Sequence, residues 1–268
     1  MIAVEIALAR AMVTIARWSG ARGFHSRILC YHDVVLQSSG KYANTVADFK
    51  GHLEWLAENG YRSVTVREIV TNWPAFTDER VVALTFDDGL LSHIDTVAPL
   101  LTSRGYTGTF FIPAGLIEDN RVLASDRGLK GYGETLLMNW NDVRELGAEG
   151  FEIGSHSLNH VSVAQQPVDV MQREIAGSKE VLEQKLSHSV STFGYPYGRR
   201  KAFSDTTKRI AVEYGYTAAC TTMGWALERK ADPLELPRTG LSAADTMATF
   251  VEKMMGHWDS YSRLSALR

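Results

Sequence analysis

Hydrophobic residues along this chain form short continuous runs, which alternate with stretches whose apolar residues recur every three or four positions. The runs are typical of buried strands, and the three-to-four spacing is typical of helices that cover a sheet. Strands are predicted at about 28–31, 61–64, 81–86, 109–112, 151–153, 191–193, 216–219 and 236–238. Helices are predicted at about 46–59, 65–70, 92–104, 141–148, 168–185, 203–214 and 243–255.

This alternation predicts an α/β fold with a parallel sheet covered on both sides. About seven β/α units follow one another without a linker, a repeat or a change of composition, so residues 25–268 are expected to form one irregular barrel. The one long stretch without a pattern is 114–138. Because it follows a strand, it is expected to form a wall of a substrate groove.

Residues 1–24 are predicted to form an N-terminal amphipathic helix with basic residues on one flank. Glu5 precedes every arginine and charges interrupt the apolar stretch, so no cleavable secretory signal is expected. The helix is expected to pack on the domain, with weak contact to a membrane surface as the alternative. No segment is long enough and apolar enough to span a bilayer.

Composition and charge narrow the function classes. The 268 residues include 45% hydrophobic side chains and carry a net charge of −3. The chain therefore has enough apolar side chains for a folded core, and it lacks the basic excess expected of a nucleic-acid-binding protein. Cys30 and Cys220 are too few for a disulfide framework and are expected to be buried free thiols.

Two adjacent aspartates, Asp87 and Asp88, end the apolar run 81–86 in the sequence TFDDG. Successive side chains on a strand point to opposite faces, but at a strand end both carboxylates can reach one mouth of a barrel. A buried carboxylate is costly unless it meets a metal ion or another cation. The alternative is a solvated turn, since Asp-Gly is a common turn pair.

Two histidines, His156 and His160, follow the predicted strand 151–153 in the sequence GSHSLNH. If this stretch is helical, the two imidazoles lie on one face, and their spacing suits a zinc-class metal. One carboxylate from the aspartate pair would complete three ligands and leave a position open, which is the pattern of catalytic metal sites. The alternative is that each histidine is an ordinary surface or core residue.

A Pro-Tyr-Gly turn follows the predicted strand 191–193 in the sequence YPYG, which contains Tyr197. The proline fixes φ and the glycine permits a tight turn, so the Tyr197 amide could donate to an oxyanion. The alternative is an ordinary turn with a packed aromatic ring. Trp140 and Trp225 either stack on a sugar ring or belong to the core.

Taken in order, TFDDG, H-S-x-x-H and the Pro-Tyr-Gly turn resemble the polysaccharide deacetylases, also called the NodB-homology or carbohydrate esterase 4 family. The resemblance covers about residues 26–240. It implies a distorted (β/α) barrel with about seven parallel strands and metal-dependent removal of an N-acetyl group from an amino sugar. It implies that Asp88, His156 and His160 hold the metal, that Asp87 is the general base, and that the Tyr197 amide stabilises the oxyanion. Zn²⁺ suits this ligand set, with Co²⁺, Ni²⁺ and Fe²⁺ as alternatives.

The chain departs from the family pattern at two places. Gly194 stands where the family has an arginine that orients the base, and Arg238 is the candidate replacement, with an ordinary surface ion pair as the alternative. The Leu-x-His that supplies the general acid is missing near the C-terminus. His32, in Cys-Tyr-His-Asp, resembles the start of a permuted subgroup that includes the poly-β-1,6-N-acetylglucosamine deacetylases, and it is the predicted general acid. His257 is the weaker candidate.

The resemblance implies an N-acetylated amino sugar as substrate, in a polysaccharide, an oligosaccharide or a precursor, and no nucleic acid. One rival is an amide hydrolase of the same fold that acts on a non-sugar or nucleotide-linked substrate. The other rival is a non-catalytic carbohydrate-binding protein, although both aspartates and both histidines are present. Without a signal peptide, the expected location is cytoplasmic or at the inner membrane surface, with a role in surface-polysaccharide (exopolysaccharide) biosynthesis.

Overall fold

Parallel strands form the centre of the molecule. The structure is a computed structural model that describes residues 12–14, 26–37, 40, 42–72, 80–228 and 230–266. The strands are β1 (Arg27–Tyr31), β2 (Asp33–Val35), β3 (Ala43–Thr45), β4 (Arg62–Val64), β5 (Val81–Asp87), β6 (Thr109–Ile112), β7 (Glu152–Ser155), β8 (Thr192–Gly194), β9 (Ala218–Cys220) and β10 (Arg238–Gly240). The helices are α1 (Val46–Glu58), α2 (Val66–Asn72), α3 (Ala98–Thr102), α4 (Trp140–Ala148), α5 (Val168–Leu186), α6 (Asp205–Glu213), α7 (Met247–Met254) and α8 (Asp259–Ala266).

The main sheet curls into a nearly closed barrel of seven parallel strands, which confirms the predicted fold. Its order is β10-β1-β5-β6-β7-β8-β9, and β4 pairs with the start of β5. Leu236 bridges Cys220 at the end of β9, and two residues later β10 pairs with β1, so one segment links the two edges. Because every strand is parallel, all carboxyl ends meet at one mouth.

Alternation along β5 shows why the chain adopts this architecture. All seven residues of β5 are buried, as expected for a strand covered on both faces. Val82, Leu84 and Phe86 belong to the large core under the surrounding helices, whereas Val81 and Ala83 belong to a smaller core that fills the barrel. Because side chains on a strand alternate between its two faces, Thr85 and Asp87 share the inner face with Val81 and Ala83. Asp87 therefore points toward the inside of the mouth.

Several helices begin where a side chain satisfies the first free amides. Thr45 caps α1, while Asn139 and Ser204 form capping boxes with the third residues of α4 and α6. The helices that cover the sheet bury an apolar stripe, such as Phe49, Leu53 and Leu56 on α1. The strands and helices predicted from the sequence are present, with ends that differ by at most four residues.

The structure adds elements that the apolar pattern does not predict. The predicted helix 92–104 is π-helical over His93–Val97 and α-helical only over Ala98–Thr102. The short pair β2 and β3 and the helix α8 carry too few apolar residues to show a period. The predicted N-terminal helix 1–24 lies outside the described residues apart from 12–14, which are helical. None of the described helices is long and apolar enough to cross a membrane. Both cysteines are buried free thiols, as expected.

Candidate active site

Three of the sequence motifs meet at the carboxyl ends of the barrel strands. Asp87 is the last residue of β5, His156 directly follows β7, and the YPYG turn directly follows β8. His32 directly follows β1, and it continues the inward series of Ile28 and Cys30. The barrel mouth is therefore the candidate active site.

Asp87 lies in the barrel mouth and is bound by two nitrogen atoms of Arg238. Nη1 of Arg238 lies 2.6 Å from Oδ1 of Asp87, and Nη2 lies 2.8 Å from Oδ2. Arg238 is fully buried and Asp87 is 2% exposed, so this is not the surface ion pair that sequence alone left open. Burial alone would raise the pKa of Asp87, but the Arg238 guanidinium lowers that pKa to about 2. Asp87 is therefore held as a carboxylate in one orientation.

Gly194 explains why an arginine at that position would not fit this barrel. A Cβ at Gly194 would lie 2.9 Å from Cγ of Phe111 and 3.0 Å from Nδ1 of His156, which is too close for either ring to accommodate. The Phe111 ring fills the space instead, and the Arg238 guanidinium stacks on it with 5.2 Å between Cζ and the ring centroid. An arginine from β10, which is separated from β5 only by β1, thus reaches Asp87.

Asp88, His156 and His160 bring three potential metal ligands together. Oδ1 of Asp88 lies 3.4 Å from Nε2 of His156 and 3.0 Å from Nε2 of His160. Burial alone would raise the pKa of Asp88, but the His160 imidazole beside it holds that pKa well below its usual range. Asp88 in turn raises the pKa of His160, against the effect of burial. The negative charge on Asp88 and the positive charge on protonated His160 thus stabilise each other. A metal cation bound at this point could take the place of the His160 proton.

The two histidines converge from a loop, so the helical arrangement that their spacing would allow is not the one present. Ser157 and His160 both adopt left-handed backbone angles, with φ of 62° and 53°. The loop is held by tertiary contacts: the carboxylate of Glu174 accepts from the backbone and side-chain amides of Asn159, at 2.8 and 2.7 Å. Left-handed φ at Asp88 (78°) turns that side chain toward the same point.

The buried polar atoms at this point fit a divalent cation. Oδ1 of Asp88 is buried and accepts no hydrogen bond from the described residues. Nδ1 of His156 lies 2.7 Å from the carbonyl oxygen of Gly194, so it carries the proton and the Nε2 lone pair faces the aspartate. The three ligand atoms lie within 4.8 Å of one another. Two imidazole nitrogens and one carboxylate oxygen are a donor set typical of zinc-class metals.

Tyr132 is a site residue that the sequence did not reveal. Its hydroxyl donates to Oδ2 of Asp88, the carboxylate oxygen that does not face the histidines. Burial and the neighbouring carboxylate raise the pKa of Tyr132, so the hydroxyl stays protonated as a donor. Tyr132 lies in the long stretch 114–138, so this contact places one residue of that stretch beside the site. The role of the whole stretch as a groove wall stays a prediction.

His32 and Cys30 lie on the other side of Asp87. Sγ of Cys30 donates to Oδ2 of Asp87 at 3.4 Å, and one ligand atom each of Cys30, His32 and Asp87 lies within 4.8 Å of the others. Nδ1 of His32 is buried and has no hydrogen-bond partner within the part of the chain that the structure describes. Burial lowers the pKa of His32, and the nearby Asp88 and Asp87 carboxylates act against that shift by favouring the protonated imidazole. Cys30 lies two residues before His32 and faces the same side of β1. It was not predicted as a site residue.

Tyr197 adopts a left-handed backbone with φ of 65°, and its ring packs against His160 with 5.1 Å between centroids. Its carbonyl accepts from Oγ1 of Thr222, whereas its amide donates no hydrogen bond to any described residue. The turn packs tightly, since a Cβ at Gly198 would lie 2.6 Å from the Thr222 amide. The turn thus fixes a free backbone donor near His160.

The remaining candidates, Trp140, Trp225 and His257, lie away from the cluster of Asp88, His156 and His160. Trp140 is 4% exposed beneath Lys185, and the partly buried Trp225 packs against Arg263. The core alternative thus describes both better than sugar stacking. His257 lies in the turn between α7 and α8, where its backbone amide donates to the Glu252 carbonyl.

An α/β barrel whose carboxylates and imidazoles converge at the carboxyl ends of its strands has the architecture of a barrel enzyme. The family model of the polysaccharide deacetylases matches residues 75–219, more than half of the chain. The chain belongs to the polysaccharide deacetylase family, whose members are hydrolases of amide bonds.

Individual relatives agree with this assignment. The chain is 25% identical over 233 residues to YxkH of Bacillus subtilis, which its name assigns to the polysaccharide deacetylases; the match covers 85% of this chain and 76% of YxkH. It is 24% identical over 172 residues to the peptidoglycan-N-acetylglucosamine deacetylase of Bacillus cereus, covering 64% and 67% of the two chains. The structure of the Streptococcus pyogenes deacetylase PplD, in complex with acetate, shares the fold with a TM-score of 0.72 at 22% identity, covering 86% of this chain and 98% of PplD.

Proposed function

We propose that this protein is a metal-dependent hydrolase that removes N-acetyl groups from an amino sugar and releases acetate. One observation carries the proposal: Asp88, His156 and His160 converge beside a buried carboxylate, Asp87, which Arg238 holds with two hydrogen bonds. Family membership and the names of the relatives support an acetylated sugar in a polysaccharide, an oligosaccharide or its precursor.

Asp88, His156 and His160 would hold the metal. We propose Zn²⁺, because two imidazoles and one carboxylate leave a fourth tetrahedral position open, as in catalytic zinc sites. Co²⁺, Ni²⁺ and Fe²⁺ accept the same donors. A divalent metal bound there polarises a carbonyl oxygen and lowers the pKa of water.

Asp87 is the proposed general base. It takes a proton from the water molecule whose oxygen attacks the amide carbonyl carbon. Arg238 is a positioning residue: it keeps the carboxylate ionised and directs its remaining lone pairs into the barrel mouth. The thiol of Cys30 adds a weak third hydrogen bond to the same carboxylate.

The backbone amide of Tyr197 is the proposed donor to the oxyanion that develops on the carbonyl oxygen. Its left-handed conformation and the Thr222 contacts hold the amide in place before substrate arrives. A preorganised donor of this kind needs no reorganisation during the reaction.

His32 is the proposed general acid. An amide anion is a very poor leaving group, so the amine nitrogen must gain a proton as the C–N bond breaks. A ring nitrogen of His32 lies within 4.8 Å of a carboxylate oxygen of Asp87, in the barrel mouth. A general acid that follows β1 is compatible with the permuted subgroup, because β1 pairs directly with β10, the last strand of the barrel.

Acetate release tests the proposal. We expect the Zn²⁺-loaded protein to release acetate from at least one of β-1,4- or β-1,6-linked N-acetylglucosamine oligomers or nucleotide-linked N-acetyl sugars. Asp87→Asn should abolish that release, because the amide cannot accept the proton. If metal-loaded protein binds a sugar but releases no acetate from any of these or from an activated acetyl ester, the chain is a carbohydrate-binding member of the fold and the proposal is wrong.

A further inference from the structure

A wide groove opens beside the proposed catalytic site. Its volume is about 1280 Å³, and His160 and Tyr197 line the end that meets the site. The groove continues along Arg199, Arg200 and Lys201, the three residues that follow the YPYG turn. A substrate whose acetyl group reaches His160 would extend over this basic segment.

The basic segment, Arg199–Lys201, carries positive charge that the protein does not neutralise. All three side chains are exposed, and none forms an ion pair with a carboxylate in the part of the chain that the structure describes. The two carboxylates that line the groove are already paired, Asp245 with Lys253 at 2.7 Å and Asp259 with Arg27 at 2.8 Å.

The groove therefore has a local excess of three positive charges, on a chain whose net charge is −3. Three adjacent like charges repel one another, and an anion bound between them would relieve that repulsion. A run of arginine and lysine residues is often only part of a solvent-exposed surface and binds no ligand. This run differs because it lines the groove of the site and is held rigidly: Ala202 donates to the Arg199 carbonyl at 2.7 Å, and the Arg200 guanidinium lies 5.1 Å from the Phe203 ring.

We propose that the substrate is an N-acetylated amino sugar that carries phosphate, and that Arg199, Arg200 and Lys201 bind this phosphate. The inference rests on the deacetylase function proposed above and narrows its substrate class. A phosphate group brings one to two negative charges and several acceptor oxygens, which suit two guanidinium forks and an ammonium group. A uronic acid brings one charge and two oxygens, and it is the weaker match.

The test compares N-acetylated sugars that carry no anionic group, a phosphate group or a carboxylate group. The measured quantity is kcat/KM for acetate release from N-acetylglucosamine, its 1-phosphate, its uridine diphosphate conjugate and a disaccharide with glucuronic acid. We expect the phosphorylated sugars to exceed the neutral sugar by roughly 10- to 100-fold at low salt, with an advantage that shrinks as salt rises. The monoester and the conjugate distinguish a terminal phosphate from a nucleotide-linked one.

A matched pair of triple variants assigns the effect. Arg199→Gln/Arg200→Gln/Lys201→Gln should lose the phosphate advantage and keep kcat/KM for the neutral sugar. The control removes three exposed cations that do not line the groove, Lys50, Arg67 and Arg209, each replaced by Gln, and should behave as wild type.

The outcomes separate this inference from the function on which it rests. Asp87-dependent acetate release with no phosphate preference, with a preference for the uronate, or with equal loss in both triple variants would overturn the inference and leave the deacetylase function intact. If no sugar releases acetate, binding of the uridine diphosphate conjugate by calorimetry still decides the role of the segment. Binding that weakens roughly 10-fold or more only in the Arg199–Lys201 variant supports it, and equal binding by both variants overturns it.

Discussion

Removal of Arg238 tests how the proposed base is held. The two hydrogen bonds to Asp87 and a third, 2.9 Å, to the Thr221 carbonyl fix the guanidinium inside the barrel. Arg238→Met retains much of the side-chain volume but leaves the Asp87 carboxylate buried without its cation. Breaking a buried pair in this way costs about 3–5 kcal/mol of unfolding free energy. For a chain of this size, the melting temperature falls by roughly 6–10 °C.

Turnover should fall for a separate reason. Without Arg238, burial dominates and raises the pKa of Asp87 from about 2, and the carboxylate is free to rotate. Displacement of a catalytic group by about 1 Å costs on the order of 10²-fold, so kcat/KM for acetate release should fall about that much or more. A base is active when deprotonated. The acidic limb of the pH profile should therefore move to higher pH.

Steady-state acetate release, corrected for the folded fraction by circular dichroism, measures both effects. Arg238→Lys keeps the charge but loses the two-bond geometry, and it should fall between wild type and Arg238→Met. Arg121→Met is the control, because it breaks another two-bond pair, with Asp142 at 2.8 and 3.0 Å, away from the groove. Wild-type kcat/KM with an unmoved acidic limb in Arg238→Met would refute the positioning role.

Three further variants test other parts of the account. His32→Gln should lower kcat roughly 10²- to 10⁴-fold and leave metal affinity unchanged, because it removes only the proton donor. Tyr132→Phe should weaken metal affinity roughly 10- to 100-fold, measured by competition with a chelator, while kcat at saturating metal stays near wild type. Burial lowers the pKa of His52 to about 4, whereas the unfolded chain binds that proton near pH 6.5. The unfolding free energy should therefore fall by about 3 kcal/mol between pH 6.5 and 4, and His52→Gln should remove most of that decrease.

For each of these three variants, one experimental result would contradict the prediction. Loss of bound metal in His32→Gln would make His32 a ligand or a structural residue. Equal chelator competition in wild type and Tyr132→Phe would mean that the Tyr132 hydroxyl does not support Asp88. Urea unfolding curves with the same pH dependence in wild type and His52→Gln would show that His52 is not a source of acid sensitivity.

The barrel and most of its strand ends could be predicted from the sequence, because the signals are local. The buried run of β5 and the helix periods between strands specify a parallel sheet, and parallel strands bring Asp87, His156 and His32 to one mouth. This placement alone did not identify these residues as candidate site residues. The resemblance of their motifs to the polysaccharide deacetylase family was needed as well.

The remaining parts of the site depend on contacts between distant segments. The loop at His160 is left-handed because Glu174 on α5 binds its backbone, which spacing along the chain cannot show. Tyr132 reaches Asp88 from a stretch without periodicity, 44 residues away. The pairing of Arg238 with Asp87 spans 151 residues and requires the closure of β10 onto β1. Each of these contacts becomes visible only when the barrel is closed.

A titration of metal-depleted protein with Zn²⁺ tests the central claim most directly, with acetate release and bound metal followed together on an N-acetylglucosamine substrate. Our account predicts that release rises linearly to one Zn²⁺ per chain and then stays constant, and that His156→Ala shows neither tight binding nor release. Full acetate release from metal-depleted protein, or an unchanged titration in His156→Ala, would contradict the assignment of this site.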